Sequence, residues 1–112
     1  MLTIDSLRAY GANVNEGLTR CMNNESFYLM LVGKSLEDRN FEKMREAMAA
    51  GNTTAAFDAA HALKGSTGNL ALTPIYEPIC QLTELLRGKS EAVNADALVD
   101  RIMEQLEKAK QL

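Results

Sequence analysis

Apolar residues return every three or four positions along most of the chain, the spacing of one helical face, and the interruptions fall on asparagine, glycine and proline. Thr3 to Tyr10 reads as a short opening turn. Asn13 or Asn15 can cap a short helix that runs to about Met22 and stops at Asn23-Asn24. Asn24 caps the next helix. Six successive apolar residues, Phe27 to Val32, do not separate a buried strand from a helix by periodicity alone. Their flanks, Glu25, Lys34, Leu36 and Glu37, carry no turn signal, so 24–39 is predicted helical. Phe41, Met44 and Met48 then fall at helical spacing among Ala47, Ala49 and Ala50, giving a helix over 41–50 that ends at Gly51.

Asn52 or Thr53 can cap the following helix. From Thr54 to Leu70, residues Ala56, Ala60, Leu63, Thr67 and Leu70 lie on one face, which is the predicted core seam. Thr73-Pro74 reads as N-cap and first residue of another helix, with Ile75, Ile79, Leu82 and Leu86 inward, running to Arg87 and closing at Gly88. Pro78 predicts a kink or a restart near Glu77, because it lacks an N–H and its ring crowds the preceding turn. A last helix, capped by Ser90 or Asn94, carries Ala95, Leu98, Ile102, Leu106 and Ala109 on one stripe. The expected architecture is an all-α, antiparallel up-down four-helix bundle. Its bundle helices cover about 24–50, 53–70, 73–87 and 91–110, and short N-terminal helices over 1–22 cap one end or side.

Composition narrows the class further. At 112 residues the chain, 1–112, is expected to be a single domain, and 46% hydrophobic with 24% charged residues is the balance of a folded protein rather than a disordered one. Only 7 glycines and 2 prolines, with no tryptophan, leave too few turn residues for an all-β sandwich. The net charge of −3, from 12 basic and 15 acidic residues spread along the chain, gives no basic footprint for nucleic acid and points to protein partners. No apolar run approaches a membrane span, and Asp5 and Arg8 interrupt any signal-peptide core, so a cytoplasmic location and no membrane partner are expected. Met1 and the long last stripe fit a free-standing protein or an N-terminal domain. A four-helix unit that buries its own seam is expected to be a monomer. Cys21 and Cys80 lack metal or redox spacing and read as buried thiols rather than a disulfide. Met22, Met30, Met44, Met48 and Met103 read as core filler.

The chain has one histidine, His61. At about 100° per residue it lies about 140° from the centre of the core face, so it points to solvent. Asp58, Lys64, Gly65 and Gly68 share that outward side. Asp58 reads as a solvated helix residue or one that tunes the imidazole. Each mid-helix glycine costs about 0.8–1.0 kcal/mol against alanine, so two beside the only histidine need a reason. A missing side chain four residues on leaves the imidazole uncrowded and lets another protein's surface approach, with a phosphoryl group between. Lys64 brings an ammonium within reach of its oxygens. Gly68 and Asn69 also read as helix-end signals. The arrangement suits phosphoryl transfer to an imidazole nitrogen, in which positioning and charge neutralisation carry catalysis. There is no second histidine, carboxylate cluster, Gly-rich phosphate loop or Ser/His/Asp set, so no cofactor or metal is expected on this chain.

The segment from His61 to Leu70, with Leu63, Lys64, Gly65, Ser66 and Leu70 in register, closely resembles the signature of histidine-containing phosphotransfer (HPt) domains. The Gly11 to Leu18 opening, the Phe27-Tyr28 segment and the Cys80 to Gly88 helix look like further HPt elements, extending the likeness over nearly the whole chain. The resemblance implies that His61 accepts a phosphoryl group on Nε2 from a receiver aspartate, or from a sensor histidine kinase, and passes it to another receiver domain, with Lys64 and Gly65 supporting. It implies no kinase activity of the chain's own, and Mg²⁺ on the partner receiver. It also implies an apolar docking face near the histidine, for which Tyr28, Leu31, Phe57, Ser66 and Gly68 are the candidates. One departure is Ala71, where many members have glycine; a slight effect on helix ending is expected. The alternative is a degenerate bundle that binds a signalling partner without carrying phosphate. A small enzyme using His61 as general base lacks an oriented second group.

Overall fold

Asparagine starts three of the seven helices. In the computed structural model, which describes Met1–Leu112, Asn13, Asn24 and Asn52 each accept a hydrogen bond from the backbone N–H three residues on, the N-cap arrangement. The elements are α1 (Ile4–Tyr10), α2 (Val14–Arg20), α3 (Glu25–Leu36), α4 (Asn40–Ala49), α5 (Thr53–Asn69), α6 (Thr73–Leu86) and α7 (Asp96–Lys110). No strand is present. Thr3 and Ser6 cap α1 reciprocally, each side chain bonding to the other's backbone N–H.

The helices pack around one core. α5 packs against α4 and α6, α6 against α7, and α7 against α3, while α2 bridges α1 and α3. Ala56, Ala60, Leu63, Thr67 and Leu70 are all buried, as are Ile75, Ile79, Leu82 and Leu86, so both predicted seams face inward. Leu7 and Val14 enter the same core, which makes the N-terminal helices part of the packing rather than an appendage.

Several expectations are corrected. The 24–50 segment is two helices rather than one bundle rod, as the separate readings of 24–39 and 41–50 expect; the first ends earlier than predicted, and at the 37–39 break Asp38 Oδ1 accepts from the Asn40 N–H at 2.8 Å as the chain restarts as α4. Thr73 is the first residue of α6 rather than its cap; Leu72 holds the cap position without a side-chain bond. Pro78 neither stops nor restarts α6, and its ring is buried. The one bond it removes is to the carbonyl of Pro74, and α6 runs on unbroken past it. The last helix begins at Asp96 rather than 91. Thr53, buried at the start of α5, donates to the Glu91 carbonyl at 2.6 Å and holds the preceding loop extended, and Asn94 Oδ1 receives the Asp96 N–H at 3.3 Å. Val99 is buried on α7 while Leu98 is half-buried. Met44 is buried and Met48 and Met103 half-buried, but Met22 (84% exposed) and Met30 (47%) are surface residues. Both cysteines are free, Cys21 buried and Cys80 half-buried. No helix is long and apolar enough to cross a membrane.

Candidate functional site

His61 is exposed at the ninth position of the 17-residue α5. Side chains on a helix lean toward its N-terminus, so the imidazole lies over the turn that carries Phe57. The two rings meet edge-on, centroids 5.7 Å apart and planes at 80°. On the next turn stands Lys64, half-buried, and with His61 and Gly65 it lines a shallow depression of about 730 Å³. No cluster of His, Cys, Asp or Glu in the chain is arranged to hold a metal ion.

The two glycines have different reasons. A Cβ placed on Gly65 meets nothing within 4 Å, so the fold itself does not require glycine there. A Cβ on Gly68 falls 2.6 Å from Cε1 of Tyr76, whose ring packs over the bare backbone. Gly68, offered from sequence as a docking residue, is thus explained by packing inside the chain.

The rest of the depression comes from elements far away in sequence. Arg20 of α2 donates from Nη1 to the carbonyls of Gly68 (2.6 Å) and Asn69 (3.3 Å), and its Nη2 pairs with Glu16. Tyr76 and Glu77 of α6 complete the rim. The neighbouring Cys80 thiol holds the Tyr76 phenol above its ordinary pKa, against the lowering charge of Arg20. On the other side of His61, the Arg87 guanidinium lies over the face of Phe57 at 5.4 Å and bonds to Glu84. That bond, then the charge of Arg87 and that of Lys64, hold the Glu84 carboxyl below the usual range. Sequence reasoning found none of Arg20, Tyr76 or Arg87, since nothing in the α5 segment announces them.

The remaining docking candidates separate. Tyr28 is fully buried and donates its hydroxyl to the Leu70 carbonyl at 2.9 Å, so it offers no surface; burial, then the neighbouring Cys21, pushes its phenol up. Gly17 admits its ring, since a Cβ there would come within 2.5 Å of it. Leu31 and Ser66 share a shallow groove between α3 and α5, with the Ser66 hydroxyl donating to the Leu63 carbonyl at 3.2 Å. Phe57 is half-buried against His61.

The fold is all-helical and presents one exposed histidine on α5, with a lysine and an open glycine side by side on the next turn. Residues 35–111 match the Hpt domain family, and the chain belongs to that family. The match begins at Ser35, so the likenesses read at Gly11 to Leu18 and at Phe27-Tyr28 lie outside it. No curated protein and no solved structure matches the chain. Hpt domains serve phosphotransfer in phosphorelays, as carriers that interact with receiver domains and kinases.

Proposed function

We propose that this protein is a cytoplasmic histidine phosphotransfer carrier of a two-component phosphorelay, acting as a monomer, with its helices packed as an antiparallel up-down bundle. His61 accepts a phosphoryl group from the aspartyl phosphate of a receiver domain, or from a kinase, and hands it to another receiver. In the first step the P–O bond to the aspartate breaks as the Nε2–P bond forms, and the carboxylate leaves with the electron pair. The return step reverses this on the second receiver's aspartate.

The observation that supports this reading best is the exposed His61 with Lys64 in the same depression and open space at Gly65. The Lys64 ammonium offsets charge on the phosphoryl oxygens, and Gly65 leaves room for the partner's surface to bring its aspartate in line. Nothing in this chain is asked to activate a nucleophile, since the lone pair of an imidazole nitrogen attacks phosphorus directly. Magnesium belongs to the receiver.

The test is incubation with a phosphorylated receiver domain and Mg²⁺, following labelled phosphate onto this chain. Acid-labile, base-stable label that is lost in His61→Gln is expected. A folded protein that takes no label from several receivers would instead be the non-phosphorylated binding module.

A further inference from the structure

We infer that Phe57 and Arg87 form a positioning device that sets the aim of the His61 imidazole. The inference rests on the phosphoacceptor reading and adds to it residues that act through His61 rather than on phosphate. An exposed histidine on a helix surface ordinarily samples more than one side-chain rotamer, and an in-line transfer succeeds only from a narrow range of approach angles. Here the imidazole is not free-standing. Its ring is met edge-on by Phe57, one turn earlier on the same helix, at 5.7 Å and 80°. Phe57 is itself held, because the Arg87 guanidinium covers its ring at 5.4 Å. Arg87 in turn is fixed by a two-pronged bond to Glu84, Nη2 to Oε1 at 3.1 Å and Nε to Oε2 at 3.4 Å. The series Glu84, Arg87, Phe57, His61 crosses from the end of α6 to the middle of α5, so the packing of those two helices determines where Nε2 points.

Three variants separate positioning from docking. Phe57→Leu keeps apolar volume and removes the ring; Phe57→Tyr keeps the ring; Arg87→Met keeps the chain length and removes the charge. In single-turnover transfer from a phosphorylated receiver, Phe57→Leu should be roughly tenfold slower at saturating receiver, with half-saturation within about twofold of wild type. Arg87→Met should be roughly threefold slower, and Phe57→Tyr should restore the rate. Side-chain couplings and ring-to-ring nuclear Overhauser effects measured by NMR on the unphosphorylated protein should show one His61 rotamer in wild type and averaging in Phe57→Leu and Arg87→Met. A wild-type maximal rate in Phe57→Leu, or a raised half-saturation with the maximal rate intact, overturns the inference and makes Phe57 a docking contact. A wild-type protein that takes no phosphate removes the phosphocarrier reading, while the NMR comparison still decides whether Phe57 orients the ring. Arg87→Met, at an exposed position, keeps the test open should Phe57→Leu fail to fold.

Discussion

The ring of Tyr76 lies so close over the Cα of Gly68 that a methyl group there would sit 2.6 Å from its Cε1, whereas Gly65, three residues earlier, faces empty space. The same substitution should therefore have opposite effects at the two sites. Gly65→Ala gains the helix preference for alanine, about 0.8–1.0 kcal/mol, and should raise the melting temperature while slowing phosphotransfer by crowding the partner's approach. Gly68→Ala gains the same preference but must displace Tyr76, at a cost of about 1–3 kcal/mol for overpacking, and should lower the melting temperature. Thermal unfolding of the two variants, with the double variant Gly68→Ala/Tyr76→Leu to relieve the clash, checks the contrast. A destabilised Gly65→Ala would mean that the open space is not what it appears.

Helix α5 ends on a residue in the wrong conformation for its type. Ala71 has φ of +57°, the left-handed region, and its N–H bonds to the Gly68 carbonyl at 3.1 Å while that of Leu72 bonds to Thr67 at 2.9 Å. This is the Schellman ending, which glycine normally supplies. For an L-residue the conformation costs about 1–2 kcal/mol, and the buried methyl returns about 0.8 kcal/mol. Ala71→Gly should then stabilise the protein by about 0.2–1.2 kcal/mol, measurable by urea unfolding. The slight effect expected from sequence is thus a specific backbone strain.

What was legible in the sequence follows from periodicity. The α5 seam repeats over enough turns that both the buried face and the outward azimuth of His61 could be read directly, whereas Ala71 stood out only against the glycine that the resembled family has there. The failures share a different cause. Six consecutive apolar residues give α3 no single apolar side, so nothing local says that Tyr28 and Val32 turn inward while Phe27 and Met30 face solvent; the packing of α2 and α7 decides it. Gly68 looked like a partner-facing or helix-ending glycine because Tyr76 is eight residues away in a different helix. Arg20 and Arg87 reach the site only through tertiary packing, and the late start of α7 depends on Thr53 holding the Glu91 carbonyl.

Arg20 supplies the charge that α5 lacks at its end. The last turn of α5 contains no basic residue, and the guanidinium of Arg20 takes up the Gly68 and Asn69 carbonyls from outside the helix. Bonds from a charged donor contribute about 1.5–3 kcal/mol when buried, but this side chain is 39% exposed, so screening reduces the figure. Arg20→Gln should cost about 1 kcal/mol in denaturant unfolding at low salt. The difference from wild type should shrink at high salt, and a difference insensitive to salt would assign the loss to packing of the side-chain stem instead.

Tyr10 makes stability sensitive to alkaline pH. Its hydroxyl donates to the Gln105 carbonyl at 2.9 Å, tying α1 to α7, and burial pushes its phenol from 10.0 up to about 12. Because the folded state resists losing this proton more than the unfolded chain does, the stabilisation is fully present below pH 10 and is lost as pH rises from 10 to about 12. Tyr28 and Tyr76 are also shifted upward, so wild type and any single variant will both weaken in this range. The informative quantity is therefore the difference between wild type and Tyr10→Phe. At neutral pH the variant should be less stable by about 1 kcal/mol, the loss of one hydrogen bond, and the gap should close between pH 10 and 12 as the wild-type phenol ionises. Guanidinium unfolding at several pH values across that range measures it, and a gap that stays constant would show that the Tyr10 proton is not linked to folding.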